Sequence, residues 1–256
     1  MWDFEHPPLA AALATTPGLQ ILPGCTIASK GRVRSLLLVR RAAQPLTALR
    51  SVAADTASRT TVTYARILFH KWGNPAVPFI PMSADLDAML QRADAAILIG
   101  DPALLALEER ANRFERTHEE LVYHDLAEEW HSLTSLPFVS AVWATNSGVS
   151  VPSPSVSSPL VPSPSVPSPL VPVSLNQIST DFIQSRNHGL QNIDTLVAEW
   201  SAKLPIPEAT IRTYLTTNIH YTLDEECLEG MRVFFRTAAG LAILPEYTFS
   251  TPEVAR

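Results

Sequence analysis

The chain has 256 residues, of which 46% are hydrophobic and 17% charged, and its formal net charge is −6. This composition is typical of a globular protein with a sizeable core, and the acidic balance argues against a nucleic-acid-binding surface. The two cysteines have no metal-ligand spacing with the histidines, which favours a reducing compartment without structural zinc. The amino terminus is acidic where a secretion signal is basic, and no apolar run is long enough to span a membrane. We therefore expect neither secretion nor association with a membrane, and so we expect a cytoplasmic protein.

Strand and helix patterns alternate in the first part of the chain. The strand patterns are "RSLLLVR", "SVAAD", "AVPFIP", "AAILIG" and "PFVSAVWA". The helix patterns are "SRTTVTYARILFHKW", "ADLDAMLQR", the stretch from Pro102 to about Arg113, and "LAEEWHSL". Alternation of this kind predicts an α/β fold with a parallel sheet.

A proline-rich stretch interrupts this pattern at residues 147–174. It holds eight of the 22 prolines, and "VPSPSVSSPL" is followed by "VPSPSVPSPL", a tandem repeat in which Pro167 stands in the place of Ser157. Without charge or helical period, the stretch favours a polyproline or disordered insertion in a surface loop, and a ligand for a proline-binding domain is the alternative. Four helical patterns follow it: "LNQISTDFIQSR", "GLQNIDTLVAEWSAKL", "PEATIRTYLT" and "DEECLEGMRVFFRTAAGL".

The first candidate site is the polar turn "ASKGRVRS", Ala28 to Ser35, just before a predicted strand. The hydroxyl groups of Ser29 and Ser35 and the backbone N–H groups around Gly31 are suited to hold a carboxylate. A short polar turn is more often only a connection between elements, so both interpretations stay open.

Two further candidates join a strand to a helix. In "DTASRTT", Ser58 is a suitable N-cap, and the N–H groups that follow it would attract an anion, although a capped helix needs no ligand. In "AAILIGDPALLALEE", the position of Asp101 before Pro102 predicts that Asp101 is a helix N-cap. Asp101 is then either a cap with no further role or a cap beside a ligand cleft. The chain has no phosphate loop and no GxGxxG motif, so we expect no cofactor.

These stretches together resemble the chorismate dehydratases of the futalosine route to menaquinone. The likeness is carried by "ILPGCTIASKGRVRSLLLV", "DTASRTTV", "DAAILIGDPAL", "YHDLAEEWHSLTSLPFVSAVWA" and "SRNHGLQNIDTLVAEW", which run from about Gly18 to Tyr221 apart from the repeat. The family's catalytic Asn, on a strand that precedes residues like "WDFEHPP", has no counterpart in this sequence. We therefore expect a first lobe that lacks its amino-terminal strand.

The resemblance implies a two-lobed α/β fold like that of type II periplasmic binding proteins, with the ligand in the cleft between the lobes. The first lobe would comprise residues 1–44 and 140–256, with the insert at 147–174, and the second lobe residues 45–139. It also implies a cytoplasmic lyase that converts chorismate to 3-[(1-carboxyvinyl)oxy]benzoate and water without metal or organic cofactor. The alternatives are the sister enzyme that makes 1,4-dihydroxy-6-naphthoate and an inactive remnant that binds a small carboxylate.

The resemblance also assigns site residues. The family's functional serine corresponds to Ser35, which is the catalytic candidate. The substrate-binding candidates are Ser29, Gly31, Ser58, Thr60, Thr61 and Asp101.

Overall fold

The computed structural model describes residues 19–57, 59–146, 175–247 and 249, so the Pro/Ser repeat and Ser58 lie outside the described residues. The strands are β1 (Leu19–Ser29), β2 (Leu36–Arg41), β3 (Val52–Asp55), β4 (Phe79–Met82), β5 (Ala95–Ile99), β6 (Leu121–Asp125) and β7 (Phe138–Asn146). The helices are α1 (Arg59–Lys71), α2 (Leu86–Arg92), α3 (Asp101–Glu108), α4 (Arg110–Thr117), α5 (Leu126–Thr134), α6 (Leu175–Gln191), α7 (Ile193–Lys203), α8 (Glu208–Thr213) and α9 (Glu225–Gly240). A 3₁₀ turn covers Leu46–Ala48 and a π-helical turn covers Tyr214–Asn218.

Five strands form a mixed sheet in the order β4-β3-β5-β2-β6. β3 runs parallel to β4 and β5, whereas β2 runs antiparallel to β5 and β6. The α/β class is confirmed, but the expected parallel sheet is wrong at β2. A helical crossover is what forces parallel direction, and β2 is followed by only a 3₁₀ turn before β3.

β1 and β7 form a separate antiparallel pair. Their register runs from Leu19 opposite Asn146 to Ser29 opposite Phe138, with irregularities along β1. At the end of β1, Ala28 exchanges backbone hydrogen bonds with His220, in the segment that leads to α9. The end of β1 therefore lies between β7 and the carboxy-terminal part of the chain.

An aromatic cluster joins this pair to the helices. The Tyr64 ring on α1 is fully buried and lies 3.9 Å from the Phe138 ring and 4.1 Å from the Phe234 ring. The Trp130 ring on α5 contacts Tyr64 edge-on at 4.9 Å, and its indole N–H donates to the Pro137 carbonyl at 3.1 Å. Burial of such large rings stabilises the fold by roughly 1.5–3 kcal/mol for each side chain, and it fixes α1, α5, β7 and α9 relative to one another.

The predicted helix from Pro102 to Arg113 is interrupted. α3 ends at Glu108 and α4 begins at Arg110, and Glu109 between them has a ψ of −3°, which departs from the regular helical value of about −42°. Among the described residues, the helices include none that is both long and apolar enough to cross a bilayer.

Candidate functional site

All five strands of the mixed sheet have an end at one edge, where β4 ends at Met82 opposite Asp55. β3, β5 and β6 end there at Asp55, Ile99 and Asp125, and the antiparallel β2 begins there at Leu36. Leu36 lies opposite Ile99, so the turn before β2 is adjacent to the loop after β5. Ligands of open α/β sheets bind beyond the carboxyl ends of the strands, which makes this edge the candidate site.

The Asp125 carboxylate fixes the turn before β2. Its Oδ2 accepts the backbone N–H groups of Val33 at 3.0 Å and Arg34 at 2.6 Å, and its Oδ1 accepts those of Ala127 and Glu128 at 3.1 Å each. Arg34 has a φ of 68°, in the left-handed region, at the point where the chain turns into β2. Two N–H groups of the turn are therefore taken by the chain's own Asp125, and binding of a ligand carboxylate at the turn stays a prediction.

The basic side chains of the same turn are also paired. Lys30 Nζ lies 2.8 Å from Asp224 and 2.5 Å from Glu226 of the segment that begins α9. The other two pairs are Arg32 with Glu128 at 2.8 Å and Arg34 with Glu108 at 3.0 Å. Because each cation faces a carboxylate, the turn is not an open basic patch. These ion pairs instead hold it against α3, α5 and α9.

Ser35 is the point where three elements meet. Its side chain is 7% exposed, and its Oγ accepts a hydrogen bond from the Tyr214 hydroxyl at 3.0 Å. Its carbonyl oxygen accepts the Gly100 N–H at 2.8 Å, which ties β2 to the start of α3. Burial raises the pKa of the Tyr214 phenol, the bond with Ser35 opposes that shift, and the negative charge of Asp101 adds to it. Ser35 and Tyr214 therefore form one hydrogen-bonded pair, and the Gly100 N–H connects this pair to the start of α3, where Asp101 lies.

The expectation that Asp101 caps α3 is wrong. The N-cap is Gly100, with a φ of 69°, and α3 begins at Asp101 without a side-chain capping bond. An N-cap residue needs non-helical backbone angles, and here the glycine takes them because it adopts a positive φ without steric cost. The Asp101 side chain is exposed, so its carboxylate is accessible to a ligand.

Thr60 and Thr61 lie in the first turn of α1, which follows β3 at the same edge. Thr61 is buried, whereas Thr60 is partly exposed and faces a small cavity beside Tyr64 and β7. The Asp55 carboxylate accepts the Ala57 N–H at 3.0 Å and so shapes the loop before α1. The structure thus places both threonines two strands away from Ser35 in the sheet, since β5 separates β3 from β2.

Ser29 is the last residue of β1, and Gly31 lies two residues after it in the polar turn. Ser29 is 1% exposed, and its hydroxyl oxygen has no hydrogen-bond partner among the described residues. A buried hydroxyl left unpaired costs about 1–3 kcal/mol, so this group is a candidate to bond a water molecule, an ion or a ligand. Gly31 has a φ of 149° and open space where a Cβ would lie. This leaves room above the turn.

One cluster has metal-ligand residue types. The donor atoms of His220, Asp224 and Cys227 lie within 4.8 Å of one another. Burial raises the pKa of the Cys227 thiol to about 12, which disfavours the thiolate that a metal requires. Burial also raises the pKa of Asp224, but hydrogen bonds with Lys30 and the Cys227 N–H outweigh it and hold that pKa below its ordinary value. Asp224 also caps α9, because its Oδ1 accepts the Cys227 N–H at 2.9 Å.

Comparison with known proteins identifies the family. A sequence profile of a family described as "Menaquinone biosynthesis" matches residues 3–240. The chain belongs to this family. A curated relative from Thermus thermophilus, named chorismate dehydratase, is 26% identical over 236 residues, which are 90% of this chain and 76% of the relative. The family resemblance found in the sequence is therefore confirmed.

Two residues of the site were not found from the sequence. Asp125 carries a recognisable signal, because an Asp directly before "LAEEW" is typical of a helix N-cap. Its second role, in holding the turn before β2, depends on tertiary contacts. Tyr214 carries no local signal, since it lies within the predicted helical pattern "PEATIRTYLT".

Proposed function

We propose that this protein is a chorismate dehydratase, a lyase that converts chorismate to 3-[(1-carboxyvinyl)oxy]benzoate and water. The observation that carries the proposal is the hydrogen-bonded pair of Ser35 and Tyr214 at the carboxyl edge of the sheet, next to the segment that carries Asp101. The family and the named relative support the same reaction. We also assign the protein to the cytoplasm, in keeping with its two free, buried cysteines.

The reaction removes a hydroxyl group and a ring proton from chorismate. Aromatisation of the ring drives it, so the protein's task is to orient the substrate and to stabilise the departing hydroxyl by hydrogen bonds. The Ser35 hydroxyl is a donor suited to that oxygen. The exposed Asp101 carboxylate can accept a hydrogen bond from the substrate's hydroxyl group or accept the ring proton. It repels the two carboxylates of the substrate, so it does not bind them.

The substrate carboxylates need donors elsewhere. We assign one of them to the amino-terminal end of α1, where Ser58, Thr60 and Thr61 follow one another and the helix dipole attracts an anion. We assign Ser29 and Gly31 to the other wall of the site. The unpaired Ser29 hydroxyl supports that assignment.

We propose the two-lobed architecture of type II periplasmic binding proteins for the whole chain. The expected lobes were residues 45–139 and residues 1–44 with 140–256, but β2 lies between β5 and β6, so we assign β2 to the lobe of residues 45–139 and the rest of the chain to the other. The separate β1–β7 pair supports this division, because it leads the chain into the five-stranded sheet and out of it again. The substrate would lie between that pair and the edge that carries Ser35.

The test is direct. The purified chain is incubated with chorismate, and 3-[(1-carboxyvinyl)oxy]benzoate is followed by chromatography against a protein-free sample. We expect product from the wild type and from Ser201→Ala, whose hydroxyl donates to the Ala198 carbonyl within its own helix, and much less from Ser35→Ala. A folded wild-type sample that yields no product above the protein-free rate contradicts the proposal.

A further inference from the structure

We infer that Tyr214 is a positioning residue that holds the Ser35 hydroxyl as a hydrogen-bond donor toward the substrate. The inference rests on the proposed function and adds to it a residue that contacts Ser35 rather than the reacting atoms. It starts from one hydrogen bond, in which the Tyr214 hydroxyl donates to Ser35 Oγ at 3.0 Å.

The polarity of that bond sets the role of Ser35. A phenol is a stronger acid than an alcohol, so the tyrosine proton lies in the bond and the serine oxygen accepts it. A serine hydroxyl whose oxygen already accepts directs its own proton to another acceptor. At this edge of the sheet, that acceptor is a ligand oxygen. Ser35 is thereby set up to donate a hydrogen bond to the departing hydroxyl, and not to act as a base.

Hydrogen bonds of the backbone and of Asn218 hold the Tyr214 segment in place. Tyr214 begins a π-helical turn in which the Ile219 N–H reaches back to the Tyr214 carbonyl at 3.2 Å. Such turns are rare and occur often at functional sites, because the additional residue redirects side chains. At the other end of the turn, the Asn218 amide donates to the Arg32 carbonyl at 3.1 Å. The π-helical turn is therefore attached to the polar turn of Ser35 at both of its ends.

Tyr221 is a matched control. Its hydroxyl donates to the Leu215 carbonyl at 3.0 Å, so it stabilises the same π-helical turn without contact to Ser35. Both tyrosines are partly buried, and each loses one hydroxyl-mediated bond when it is changed to Phe. An effect of Tyr214→Phe that Tyr221→Phe does not share therefore comes from Ser35 and not from loosening of the turn.

The experiment measures kcat and KM with chorismate for the wild type, Tyr214→Phe, Tyr221→Phe, Ser35→Ala and the double variant Ser35→Ala/Tyr214→Phe. We expect Tyr214→Phe to lower kcat about tenfold, the size of one hydrogen bond, with little change in KM. Tyr221→Phe should keep wild-type kcat, although both single Phe variants lower the melting temperature by similar amounts. The double variant should be no slower than Ser35→Ala alone.

The outcomes separate the two proposals. If the wild type turns over chorismate and Tyr214→Phe has the same kcat, the inference is overturned and the proposed function stands. Equal losses from Tyr214→Phe in the wild type and in the Ser35→Ala background also overturn it, because the phenol would then act independently of Ser35. A folded wild type without turnover removes the proposed function, and the positioning role falls with it.

Discussion

Asp125 accepts the backbone N–H of Arg34 at 2.6 Å, although 91 residues separate them in the chain. The same side chain caps α5 through the N–H groups of Ala127 and Glu128. One buried carboxylate therefore connects the start of a helix to the turn that presents Ser35. The geometry of that turn depends on a residue which need not touch the substrate.

Replacing Asp125 tests this connection. In Asp125→Asn, the amide nitrogen donates instead of accepting, so two of the four N–H groups lose their partner. We expect the free energy of unfolding to fall by about 1–3 kcal/mol, as measured by chemical denaturation. The control is Asp85→Asn, since the exposed Asp85 caps α2 through the Ala88 N–H alone. Equal losses in the two variants would show that Asp125 is an ordinary cap.

Ser35→Ala should separate activity from stability. The change removes an oxygen that accepts one hydrogen bond, so it should lower the free energy of unfolding by only about 1 kcal/mol. Turnover of chorismate should fall by about 10²-fold or more, the scale seen when a transition-state donor is removed. Steady-state kinetics and thermal melting of the same samples test this. Unchanged kinetics with unchanged folding would exclude Ser35 from the site.

Two helical glycines should respond in opposite ways to alanine. At Gly230 in α9, an added Cβ would lie 2.6 Å from the Pro137 carbonyl oxygen, a backbone atom that cannot move easily. We expect Gly230→Ala to lower the free energy of unfolding by about 1–3 kcal/mol. At Gly189 in α6, nothing lies within 4 Å of the added Cβ. Gly189→Ala should therefore raise the free energy of unfolding by up to about 1 kcal/mol, because alanine has the higher helix propensity. Melting curves of both variants test the two opposite signs.

Asp94 should make stability depend on acid pH. The Arg50 guanidinium and the Arg50 N–H, the latter at 2.8 Å from the carboxylate, lower its pKa from 3.8 to about 2. A carboxyl group whose folded pKa is depressed stabilises the protein above its unfolded pKa. That contribution is lost as the pH falls from 3.8 to about 2.

The measurement is the free energy of unfolding against pH for the wild type and Asp94→Asn. The variant should be less stable near neutral pH, and its curve should fall less steeply below pH 3.8, the ordinary pKa of Asp94. Asp181→Asn serves as the control, because the exposed Asp181 carboxylate accepts a hydrogen bond from Gln177, one helical turn away. A curve for Asp94→Asn that runs parallel to the wild type would exclude Asp94 as the source.

Local patterns in the sequence were sufficient for most elements. The runs "RSLLLVR" and "AAILIG" became the buried strands β2 and β5, and "SRTTVTYARILFHKW" became α1, because burial and amphipathic spacing are local properties. The direction of β2 could not be predicted in this way. It depends on the strands that β2 joins, β5 and β6, and neither is its neighbour in the chain.

The same distinction applies to the site. Ser35 and Asp101 were recognised by resemblance, and the register of β2 with β5 brings their segments together. Tyr214 reaches Ser35 across 179 residues, so no local pattern could reveal it. The predicted cap at Asp101 is wrong because Gly100 takes the N-cap position with a positive φ, whereas the prediction considered only which side chains are common at N-caps.

The position of β2 has a consequence for how the protein forms on the ribosome. β2 emerges before β5 and β6, yet it is inserted between them, so the sheet cannot be completed until Asp125 has been synthesised. Until then, β2 can pair with β5 on one side but lacks β6 on the other, and such long-range pairing folds slowly. Nascent chains that end before β6 should therefore be sensitive to protease. Chains that extend past Asp125 should acquire resistance in a single step.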